Sequence, residues 1–174
     1  MKIKKLSFSA MFLALCLLLP FLTGQIPQIG SMLSPMHIPV LLCGFVCGPL
    51  YAMVVGFIAP ILRSVVFGMP PMFPTASAMA FELAAYGAFA GIFYKALPKT
   101  NINVYIALVL SMFLGRLVWG AVMFLFAALF SIGFTFQTFV AGAFVTAVPG
   151  IILHVVLIPP VVMLLRKEKL IINE

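Results

Sequence analysis

Aspartate is absent from all 174 residues, and Glu82, Glu168 and Glu174 are the only acids. Charge of either sign is scarce at 7% of the chain, where a soluble domain carries about 25%. A chain this size must clothe its surface in something polar if that surface meets water, so this surface faces lipid. No His-Glu-x-x-His run, nucleophile elbow or P-loop occurs, which leaves no catalytic set and no ATP site. Such a chain is not an enzyme, and it drives uptake by hydrolysis only through a partner. Cysteine is limited to Cys16, Cys43 and Cys47, all inside apolar runs. Cys43 and Cys47 share a helix face but lack the further ligands a metal needs, so neither a metal nor another cofactor is expected.

What remains is 65% hydrophobic, with a mean hydropathy of +1.30. Between Leu6 and Leu165 only five side chains carry formal charge: Arg63, Glu82, Lys95, Lys99 and Arg116. The net charge of +7 comes from short flanks and one turn: Lys2, Lys4 and Lys5, then Lys95 and Lys99, then Arg166, Lys167 and Lys169. That distribution is the positive-inside signature of a membrane protein, and no long basic tail is present to follow a nucleic-acid backbone.

Charge and length together count the crossings. Basic termini place both ends in the cytoplasm, and the basic turn at 95–99 belongs there too. Residues 6–94 then have room for four spans of about 20 residues, and residues 103–165 form two long ones. The expected fold is an all-α integral membrane bundle of six helices, a single domain over residues 1–174. The expected spans are 6–23, from 37 to the Gly48-Pro49 break, on to 67, 75–96, 103–130 and 138–165. Proline and glycine mark the breaks, because proline lacks the backbone donor and clashes with the preceding turn. The N-terminal run reads as the first span and not as a signal peptide: no small-x-small cleavage site follows it, and its removal would upset the parity. No inverted repeat relates the two halves, which weakens the repeat-built transporter architectures.

An ionisable side chain inside a bilayer costs about 2.5–3.5 kcal/mol and so faces protein or a water-filled cavity. His37, Arg63 and Glu82 fall in the outer half of three different helices, the layout of an outward-facing solute pocket. Arg63 and Glu82 are the only opposite charges at matching expected depth, so they either pair with each other or contact solute. Arg116 and His154 fall near mid-helix, where each either binds solute or satisfies a neighbouring polar group; for His154 a backbone carbonyl is the favoured partner. Trp119, one turn beyond Arg116, shares its face and suits a flat ring. Tyr86, four residues after Glu82, lines the same groove. Ala10 and Ala14, four apart in the first span, form a small-residue stripe on which another helix can lie.

With those residues in view, the chain resembles the substrate-binding S components of energy-coupling factor (ECF) vitamin transporters. The resemblance spans essentially the whole length. It rests on the six-helix plan, the Ala10-x-x-x-Ala14 pair and the segment HIPVLLCGFVCGPLYAMVVGFIAPILR followed by GMPPMFP, and it is most similar to thiamin-thiazole-type members. It implies a multi-pass protein of a prokaryotic plasma membrane that binds a small water-soluble vitamin or precursor with high affinity. The implied pocket lies in the outer half under a cap at residues 25–36. The implied partners are a transmembrane coupling protein, docked on the alanine stripe, and two ATPase subunits. The implied site residues are His37, Arg63, Glu82, Tyr86, Arg116 and Trp119. A self-sufficient ion-coupled secondary transporter, with Glu82, His37 and His154 as its relay, is the alternative; a purely structural membrane subunit is a third.

Overall fold

The computed structural model describes residues 2–23, 30 and 32–173, and every described element is helical. Helix α1 (Lys2–Leu18) tightens into a 3₁₀ turn at Leu19–Thr23. Helix α2 (His37–Cys47) is short, and all of its residues are buried. Gly48 then turns the chain with φ 98°, a left-handed conformation that glycine adopts without penalty, and Pro49 opens helix α3 (Pro49–Phe67). A wide turn at Met72–Ala76 leads into α4 (Ser77–Ala96). The Thr100 side chain caps α5 (Asn101–Phe130) by accepting from the Asn103 backbone amide. Helix α6 (Phe136–Val140), a wide turn at Ala141–Val145 and α7 (Val148–Lys167) follow.

Five stretches are long and apolar enough to cross a bilayer: Lys2–Leu22, Pro49–Phe67, Met72–Ala96, Asn101–Phe130 and Phe136–Lys167. Helix α2 is not, since 11 residues rise only about 16 Å. The chain just before it completes that layer, with the Met32 backbone lying against Gly150 of α7 so closely that no Cβ fits between. His37 was expected at the outer end of its helix. The structure corrects this: the short helix starts His37 part-way through the bundle, about 16 Å from the Gly48 turn.

The basic flanks gather at one end. Lys5 lies near Cys47 at the foot of α2, and Arg166 donates to the Lys99 carbonyl at 2.9 Å and also bonds Asn101. The segment after α7 folds beneath the bundle. Its Ile172 amide donates to the Val46 carbonyl at 2.8 Å, an acceptor in the last turn of α2 that the helix itself leaves unsatisfied. Asn173 is buried and donates to the carbonyls of Gly44 at 3.2 Å and Gly91 at 3.0 Å. This end is the cytoplasmic one by the positive-inside rule.

Candidate substrate-binding site

Glycine sets the register of α3 and α4. A Cβ on Gly87 would come within 2.7 Å of the Ala52 carbonyl oxygen, and one on Gly56 would meet the Leu83 backbone. Helices this close are fixed along each other's length. Their register places Arg63 level with the start of α4, about six residues, or roughly 9 Å, outward of Glu82. The expected Arg63–Glu82 pair therefore does not form. Arg63 donates to the Leu17 carbonyl at 2.5 Å, and its guanidinium lies 5.0 Å from the Phe21 ring and 5.3 Å from the Phe67 ring.

The partner of Glu82 is Arg116. Helices α4 and α5 form a hairpin about the turn at 97–100, and Gly115 sits against the Tyr86 ring. An Arg116 terminal nitrogen lies 2.7 Å from Glu82 Oε1, with the carboxylate side chain 1% exposed and that of Arg116 14%. His37 Nε2 approaches the same oxygen at 3.5 Å. The His37 ring meets Tyr86 edge-on, centroids 5.1 Å apart, and stacks on His154 at 6.0 Å and 21°. His154, buried on α7, has the Ser34 backbone beside it. Four elements thus bring His37, Glu82, Tyr86, Arg116 and His154 to one depth.

A cleft of about 150 Å³ opens beside this cluster between α5 and the 136–167 segment. Tyr86, Val109, Met112, Phe113, Arg116, Ala143, Phe144 and Ile151 line it. Its walls are aromatic and aliphatic, and Arg116 is the one charged side chain among them. That is the composition of a small-molecule site: apolar bulk with a few polar groups that fix orientation. Reading the sequence missed Met112, Phe113, Phe144 and Ile151. Helical spacing carried the signal, since Met112 and Phe113 precede Arg116 by one turn and Ile151 precedes His154 by three residues.

Two expected site residues stand apart from the cluster. Arg63 lies outward, as described. Trp119 is one turn beyond Arg116, but its ring packs against Phe134 at 5.6 Å and Phe139 at 6.1 Å, in an aromatic group at the end of α5. The cap expected at 25–36 lies largely outside the described residues. Ala10 and Ala14 both face outward from α1, whose opposite face buries Ser9, Phe12 and Cys16.

Comparison with known families decides what such a bundle is. The family described as ECF transporter, substrate-specific component, matches residues 4–162. The chain belongs to that family. No curated protein and no solved structure matches it significantly. As an ECF S component it is a substrate-binding subunit of a transporter and not an enzyme. It is a multi-pass cell-membrane protein with a small-molecule substrate and partners in the ECF complex.

Proposed function

We propose that this S component binds a small water-soluble vitamin or vitamin precursor with high affinity in the cleft between α5 and α7. The observation that carries the reading is the meeting of His37, Glu82, Tyr86, Arg116 and His154 beside an apolar cleft. Arg116 and Tyr86 contact the solute; Glu82, His37 and His154 stand behind them. Residues 1–174 act as one substrate-binding domain. A transmembrane coupling protein docks on the Ala10–Ala14 face, two ATPase subunits supply hydrolysis, and toppling of the S component within the membrane delivers the solute. Trp119, one turn from Arg116, reports occupancy, and Arg63 lies outside the contact set.

The test is a thermal-shift screen of the detergent-purified chain against water-soluble vitamins and their precursors, with Trp119 fluorescence as a second readout. A ligand at about 100 times its Kd stabilises the folded state by about 2.7 kcal/mol, which raises the melting point. A flat panel with folded protein refutes the reading. The cluster of one carboxylate and two imidazoles also suits proton relay, so the ion-coupled reading has its own test. Uptake by the chain alone that an uncoupler abolishes supports it; uptake that needs ATP and the partner subunits excludes it.

A further inference from the structure

Resting on that site, we infer that the ligand carries a carboxylate on a compact apolar body of about one ring, with Arg116 as its anchor. The inference follows from which end of the ion pair faces the cleft. Glu82 is sealed behind the pair, and Arg116, the more exposed partner, forms part of the cleft wall. A guanidinium has five N–H donors, and Glu82 Oε1 occupies one of them at 2.7 Å. The cleft therefore meets the positive end of a buried dipole. Its other walls, among them Phe113, Phe144, Met112 and Ile151, offer no competing acceptor.

Each alternative head group is disfavoured by a named feature. A cationic ligand meets the like charge of Arg116 and finds Glu82 out of reach. A phosphate adds a second negative charge near Glu82 in a site with little water to screen it. A carboxylate adds one, and a planar guanidinium accepts it in bidentate fashion. The body is limited by volume: the cleft measures about 150 Å³, the size of an apolar cavity that takes up a single benzene ring.

Matched probes that differ only in the head group test this directly: nicotinate with nicotinamide, pantothenate with pantothenol, benzoate with benzamide, and thiamin as the cation. The expected result is at least one pair in which the acid binds about tenfold or more tighter than its neutral partner, as a charge-assisted bond requires, with no shift from thiamin. Arg116→Gln alone strands a buried carboxylate and risks unfolding. The double variant Arg116→Gln/Glu82→Gln removes both charges together; it is expected to fold and to bind acid and neutral partner within about twofold of each other. Equal binding of acid and neutral partner by the native protein, or a preference for thiamin, overturns the carboxylate inference while the vitamin-binding reading stands. Retained discrimination in the double variant removes Arg116 as the anchor. A wholly flat vitamin panel overturns both readings at once.

Discussion

The two sides of the bundle are built on opposite terms. Where α2, α3 and α4 meet, backbones touch: Gly44 lies against Gly87 and Ala90, Gly56 against Leu83, and Gly91 against Pro49. Across the bundle, α5 and α7 stand apart and leave the cleft between Val109 and Ile151. Small residues let helices approach until their positions along one another are fixed, whereas large ones hold them apart. The tight side therefore holds Glu82 and His37 in place, and the open side supplies Arg116, His154 and the volume. A binding protein needs both, since rigid polar anchors are useful only beside space that a ligand can fill.

The contrast breaks most completely at Gly87. A Gly87→Leu side chain meets the Ala52 backbone and Cβ within 3 Å, and backbone cannot move aside as a side-chain tip can. The expected cost is about 3 kcal/mol or more, the upper range for overpacking, seen as loss of folded protein in detergent. Gly133→Leu on the other side, where a Cβ meets nothing within 4 Å, is expected to leave the melting point almost unchanged. Equal damage at both sites would mean that the glycine contacts do not define the rigid side.

Glu82→Gln sharpens the comparison where the two sides join. It leaves Arg116 without its only carboxylate partner among the described residues, at a cost of about 3 kcal/mol for a broken buried pair. If Arg116 anchors a carboxylate ligand, that ligand then replaces the missing partner. The melting shift produced by the acid that binds the native protein should be larger in Glu82→Gln than in the native chain. A Kd weakened at least tenfold would instead place Glu82 in direct contact with the solute.

Much of this arrangement was legible in the sequence, and its limits have physical causes. Basic flanks, turns and apolar lengths located the helices closely, because in a bilayer each break in the backbone must be bought with glycine, proline or a cap. Depth along a helix was harder. Arg63 and Glu82 lie equally far from the centre of the loop that joins their helices, which made them look like a pair. The register is set instead by Gly56 and Gly87 meeting backbone, and the 68–76 connection is asymmetric. His154 and Ile151 joined the site because α7 places one face toward His37 and the cleft. That orientation is a tertiary fact which the spacing of one helix does not contain. Asn173 is the same kind of case: nothing local marks a polar residue after α7 as the one that bonds Gly44 and Gly91.

Asn173→Ala is accordingly a milder test of the tight side. It removes two hydrogen bonds to buried carbonyls, one of them in the last turn of α2, and is expected to cost about 1–2 kcal/mol in melting stability. Because the cleft lies on the other side, ligand Kd should stay within about twofold. A large loss of affinity would mean that the foot of α2 controls the position of His37 at its head.

The smallest expected change in stability comes with the largest expected change in transport. Ala10 and Ala14 lie on a face of α1 that is exposed along Ser7, Ala10, Met11, Ala14 and Leu18, so larger side chains there displace nothing inside the chain. The double variant Ala10→Leu/Ala14→Leu should melt within about 0.5 kcal/mol of the native protein, as surface substitutions do, and keep its ligand Kd. Uptake by cells that also express the coupling protein and the ATPases should nevertheless be abolished, because the flat stripe that lets another helix lie close would be filled. Loss of binding in the purified variant would show that the stripe supports the pocket from outside. Unimpaired uptake would move the docking face elsewhere, leaving α1 as a lipid-facing wall of the tight side.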